Sequence, residues 1–126
     1  MPGMTYDAGA LIAAERNDRR IWALHRRALE RAVVPTVPAG VLAQGWRGGP
    51  QAQMSRLLGG CRVEDLDDAR ARSAGAACRA AGTSDVVDAA VVVGAAARGD
   101  LVVTSDPGDL IQLRGALNVD IQLEVI

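Results

Sequence analysis

Asp7, Asp85, Asp88 and Asp106 are the residues of this 126-residue chain whose type and setting suit chemistry. Asp7 follows the short apolar segment Met4–Tyr6, and Asp106 follows the apolar run Leu101–Thr104. Asp85 and Asp88 stand three residues apart where a long apolar stretch begins, so a helix there points both side chains roughly the same way. Carboxylates gathered in one cleft raise each other's pKa, and a buried unpaired anion is costly. A divalent cation relieves that conflict, and Mg²⁺ takes a few carboxylate oxygens while keeping several waters. Such an ion makes water a better nucleophile and stabilises charge on a phosphodiester. A structural explanation competes: Asp7, Asp85 and Asp106 each suit a helix N-cap or a first-turn acid. Asp88 is expected about a turn inside its helix, where capping has no part.

The rest of the composition narrows the chemistry. All 14 basic residues are arginine, which excludes Schiff-base lysines, a P-loop lysine and lysine general bases. A single histidine, His25, excludes a zinc site of the HExxH kind; alone, it suits a surface or packing role better than catalysis. Cys61 and Cys78 lack metal-ligand spacing and are expected to be buried reduced thiols. The chemistry is left to carboxylates, hydroxyls, amides and arginines.

Length and an apolar fraction of 49% fit one globular domain spanning residues 1–126, with a core of Ala, Val, Leu and Ile because the chain has no Phe. No apolar run approaches the roughly 20 residues that cross a bilayer. The first residues lack the pattern of a secretory signal, so a cytoplasmic protein without a membrane partner is expected.

The elements that must position the acids follow from the apolar pattern. Strands are expected over 4–6, 33–37, 61–66, 101–104 and 118–126, and helices over 8–15, 19–31 and 51–58. A further helix is expected from Pro38 through Gln44, another over 67–80, one capped by Ser84 running to Arg98, and a last one after Pro107. The helix ending at Arg98 is apolar almost all round and should be deeply buried. Strands alternating with helices predict an α/β fold with a parallel sheet covered on both faces. Ligands of such sheets bind beyond the carboxyl ends of the strands, where Asp7 and Asp106 fall. A right-handed crossover returns the start of the Asp88 helix to the same rim.

Three stretches carry a family resemblance. Tyr6-Asp7-Ala8-Gly9-Ala10-Leu11-Ile12 resembles the opening motif of PIN domains. Ser84-Asp85-Val86-Val87-Asp88-Ala89-Ala90 looks like their third motif, and Thr104-Ser105-Asp106-Pro107-Gly108-Asp109-Leu110 is similar to their Thr-x-Asp motif. The ordered set spans essentially the whole chain and is most similar to the VapC toxins of bacterial toxin–antitoxin pairs. The resemblance implies a three-layer α/β/α domain with a sheet of about five parallel strands. It implies an endoribonuclease that uses Mg²⁺ or Mn²⁺, usually a homodimer restrained by a small antitoxin.

On that pattern Asp7, Asp88 and Asp106 are the catalytic and metal-binding acids, with Asp85 and Asp109 auxiliary. Thr104 and Ser105 orient the ligands. The chain departs from the pattern once: the family's second acid is a glutamate, and Gln44 stands in its place. An amide accepts a hydrogen bond but brings no charge and cannot act as a base. Glu15, one helix after Asp7, is a possible substitute and equally a surface ion-pair residue. The alternative to an active nuclease is a weakened module that binds RNA or a protein without efficient cleavage.

Arg16, Arg19, Arg20, Arg26, Arg27 and Arg31 fall within sixteen residues, beside Trp22 and His25. They suit a flank that holds an RNA backbone. They equally suit a solvated face balanced by Asp18 and Glu30. In the VapC family the same region contributes to the antitoxin groove.

Overall fold

Met4, Thr5 and Tyr6 are all buried, the pattern of a central strand whose two faces are both covered. In the computed structural model, which describes residues 2–126, they form β1 (Met4–Tyr6) at the middle of a five-stranded sheet. The other strands are β2 (Thr36–Pro38), β3 (Arg62–Glu64), β4 (Leu101–Thr104) and β5 (Leu123–Val125). Their order is β3-β2-β1-β4-β5, and every neighbouring pair is parallel. The helices are α1 (Ala8–Glu15), α2 (Arg19–Glu30), α3 (Ala39–Gly45), α4 (Ala52–Leu58), α5 (Asp68–Ala81), α6 (Val86–Arg98) and α7 (Gly108–Leu117). In one layer α1 packs on α2, α3 and α4; in the other α5, α6 and α7 pack on one another. The expected three-layer α/β/α architecture is therefore the observed one.

The order of strands reverses at β1. From β1 the chain moves outward to β2 and β3, while β4 lies on the other side and leads to β5. Connections leaving the carboxyl ends of β1 and β4 diverge and open a crevice between them, the usual ligand position in such sheets. Tyr6 pairs with Val103, so Asp7 and Thr104 leave the sheet at the same level.

The core is aliphatic, as the composition requires: Leu11, Val37, Met54, Leu57, Val91, Val92, Val102, Val103, Leu110 and Leu113 are all buried. Each full burial of such a side chain contributes about 1.5–3 kcal/mol. Buried alanines at 74, 77, 89 and 95 let α5 and α6 approach closely. No single helix among the described residues is long and apolar enough to cross a membrane.

Several expected boundaries shift. Pro38 ends β2 opposite Glu64 instead of entering a helix. A proline is tolerated there because the strand stops with it. Val33 and Val34 are a connector: α2 ends through Ala32 at φ 58°, and Val34 is exposed. The edge strands shorten to Arg62–Glu64 and Leu123–Val125, each paired on one side. In α6, residues Ala89–Val92 are buried, but Val86 is 53% exposed because the helix begins at the open rim. Its N-cap is Asp85 rather than Ser84.

His25 takes the packing alternative. It is buried, with its Nδ1 2.8 Å from the Tyr6 hydroxyl and its ring edge-on to Trp22. Cys78 is buried and Cys61 half-buried, its thiol donating to the Leu57 carbonyl; both are free.

Candidate functional site

The crevice between β1 and β4 is built from helix starts. Asp7 ends β1 in extended backbone and caps α1, its carboxylate accepting the Ala10 N–H at 3.0 Å. Asp85 caps α6 and accepts the Asp88 N–H at 3.0 Å. Both acids therefore do what the structural explanation allowed. That does not exhaust them, because a single N–H leaves most of a carboxylate's acceptor capacity free.

Asp88 is placed differently from expectation. Because α6 starts at Val86, Asp88 is the third residue of its first turn rather than a full turn inside it. There its own N–H is capped by Asp85, and its carboxylate is held half-buried beside that same acid. Asp106 is not the cap of α7; Pro107 holds that position, and the Asp106 N–H donates to the Thr104 hydroxyl at 3.0 Å. Asp109 lies exposed in the first turn of α7.

Among the described residues, Asp85, Asp88 and Asp109 bring one carboxylate oxygen each to within 4.8 Å of one another. Asp7 stands close enough to act on Asp88 electrostatically, and Asp106 acts in turn on Asp7. Asp88 is pushed up to about 7, first by burial, then by the charges of Asp85, Asp109 and Asp7 and by its contact with the Asp85 side chain. Asp7, only 7% exposed, is also raised, mainly by burial and slightly by Asp106. The Thr104 hydroxyl and the amides of Ala10 and Gly9 pull Asp7 back down. Thr104 is fully buried and touches both sides of the crevice, which fits a role in orienting the acids.

The donor set fits a hard divalent cation. On one octahedral Mg²⁺ neighbouring ligand oxygens lie about 3 Å apart and opposite ones about 4.2 Å, so the three carboxylates must draw together to share an ion directly or through its waters. The set is all oxygen, without histidine or cysteine, which favours Mg²⁺ or Mn²⁺ over zinc.

Two expected auxiliaries stand elsewhere. Glu15, at the far end of α1 about 12 Å from its start, accepts the Met54 N–H at 2.7 Å. It supplies the cap that α4 does not get from Gln51, and it does not substitute for a missing acid at the rim. Gln44 is exposed in the last turn of α3 and hydrogen-bonds to none of the five acids. Ser105 is exposed on the rim against Gly9, where a Cβ would fall 2.2 Å from its Oγ. Gly9 is what lets α1 start so close to the end of β4.

Arg16, Arg19, Arg20, Arg26 and Arg27 are all exposed. Arg20 pairs with Asp18, and Arg26 borders a separate groove between α2 and α4 that also contains Trp22 under the Arg56 guanidinium.

No family model matches the chain, and no curated protein matches it. Among solved structures the chain is similar to the crystal structure of PAE2754 from Pyrobaculum aerophilum, with a TM-score of 0.61 at 17% identity. The match covers 91% of this chain and 86% of that one. A likeness at that identity carries the fold and nothing about activity.

Proposed function

We propose that this chain is a metal-dependent endoribonuclease of the PIN type, acting as the toxin of a VapBC-like pair. The observation that carries the proposal is Asp88, a half-buried carboxylate pushed up to about 7 beside Asp85, Asp109 and Asp7 at the sheet's switch point. A carboxylate raised first by burial and then by three neighbouring acids gains most from a divalent cation. When bound, Mg²⁺ or Mn²⁺ supplies Lewis acidity and a more acidic water.

The chain's own groups do the rest. Asp85, Asp88 and Asp109 hold the cation, and Asp7 and Asp106 add negative charge and accept hydrogen bonds from its water shell. Thr104 fixes the angle between β1's end and Asp106. The exposed arginines at the end of α1 and the start of α2, Arg16, Arg19 and Arg20, hold flanking phosphates. A small antitoxin and a second copy of the chain are the partners this function requires.

The test is purified protein incubated with a pool of cellular RNAs, with and without Mg²⁺ or Mn²⁺. Wild type should cleave only with the ion, and Asp88→Asn and Asp7→Asn should lose cleavage while keeping the fold. Cleavage that persists in Asp88→Asn removes the proposal.

A weaker module is the second reading, favoured by one observation: neither Gln44 nor Glu15 brings a carboxylate to the acids. Under it, the protein binds Mn²⁺ and RNA without efficient cleavage. Gln44→Glu then raises both Mn²⁺ affinity in calorimetry and the cleavage rate; an unchanged affinity means position 44 points away from the ion.

A further inference from the structure

Arg16 and Arg20 line a groove that reaches Ser105 and Gly9, the chain neighbours of Asp106 and Asp7. The groove, of ≈ 200 Å³, begins at Ser105 and Gly9 and runs along one face of α1. Gly9, Ile12, Ala13 and Arg16 follow one another at helical spacing, so they form a single stripe about 10 Å long. Its floor is small and apolar, with Ile12 39% exposed. At its far end stand Arg16, which makes no ion pair among the described residues, and Arg20.

Asp18 also borders the groove, but its charge is engaged. One oxygen caps the Arg20 N–H at 2.8 Å and the other meets the Arg20 guanidinium at 3.3 Å. The pair holds Arg20 in place and leaves Arg16 as the unpaired charge among the groove's side chains. A channel with arginines at one end, an apolar floor and the neighbours of Asp7 and Asp106 at the other matches an alternating chain of phosphates and bases better than it matches a compact ligand.

We infer that the groove from Ser105 along Gly9, Ile12 and Ala13 to Arg16 and Arg20 is a subsite for single-stranded RNA flanking the cleaved bond. The inference rests on the proposed nuclease function and adds the path of the substrate. Arg16 meets a phosphate other than the one over the acids, because the stripe is longer than one stacked-nucleotide step of about 3.4 Å. Ile12 supplies an apolar contact for the intervening base or sugar. Arg26 and Arg27 lie off this path.

The experiment measures binding of a single-stranded RNA oligonucleotide across a salt series without divalent ion, so that cleavage plays no part. Each phosphate contact contributes about 0.7 to the slope of log affinity against log salt. Arg16→Gln with Arg20→Gln should lower the slope by about 1.4, whereas Arg72→Gln, on the opposite helix layer and paired with Asp68, should leave it unchanged. Unchanged melting temperatures show that the variants fold.

A slope equal to wild type in the double variant overturns the subsite, as does an equal loss in Arg72→Gln or a wild type whose RNA binding ignores salt. An acidic peptide of equal charge that binds as tightly and loses as much in the double variant overturns RNA as the occupant. A wild type that cleaves no RNA with Mg²⁺ or Mn²⁺ refutes the nuclease function and leaves the slope measurement standing, so the two ideas fail separately.

Discussion

Asp88 holds its proton to about pH 7 in the folded chain, whereas an unfolded aspartate releases it near 3.8. Between those two values the native state binds more protons than the unfolded state. Stability therefore falls as pH rises through that window, the reverse of an ion-paired carboxylate. The penalty is absent below about pH 4 and complete above about pH 7. Asp88→Asn removes the titration and mimics the protonated form. Without metal, the variant should melt close to wild type at about pH 4 and clearly above it at pH 8. Parallel melting curves for the two proteins across that range would show that Asp88 is relaxed, not crowded. Thr104 works at the same scale. Its hydroxyl lies between Asp7 and the Asp106 N–H, so the opposing acids are spaced by one buried group and not by charge alone.

At the scale of elements, the two acids at strand ends were readable because an apolar run gives way to a carboxylate directly after β1 and two residues after β4. The start of α6 was harder. Thr83, Ser84 and Asp85 are three capping residues in a row, and only the folded backbone selects Asp85, with the Thr83 hydroxyl accepting the Asp85 N–H. That shift moved Asp88 into the first turn and changed what surrounds it. The meeting of Asp109 with Asp85 and Asp88 depends on how α7 packs on α6, which no local spacing encodes. Burial of His25 was equally hidden, because its partner, the Tyr6 hydroxyl, lies on a different element. Glu15 illustrates the opposite error, in which an acid near a motif was credited to the site. It caps α4 instead, so Glu15→Ala should cost about 1–2 kcal/mol in urea denaturation. Its Mn²⁺ affinity should match wild type; a fall in affinity at constant stability would return Glu15 to the metal.

Over the whole molecule a net charge of −1 conceals a division of labour. Away from the rim, Arg98 pairs with Glu64 and Asp100, and Thr5 joins Asp100 and Arg98 by its hydroxyl, while the buried Nη1 of Arg70 has no hydrogen-bond partner. At the rim five acids face one crevice, and no arginine ion-pairs with any of them among the described residues. Under the proposed function, a cation that binds the native state and not the unfolded chain would stabilise this arrangement. At a free ion concentration a hundred times Kd, that linkage is worth about 2.7 kcal/mol. For a domain of this size the corresponding rise in Tm is roughly 10 °C. The ion must displace the proton that Asp88 retains up to about pH 7, so the rise should be larger at pH 8 than at pH 6. Differential scanning calorimetry with Mn²⁺ at both pH values measures this, with Asp88→Asn as the comparison. The variant starts from a higher apo Tm and should gain little from the ion at either pH. If wild type and variant rise equally, the ion binds outside the crevice, and the repulsion stored at the switch point serves some other purpose than holding a metal.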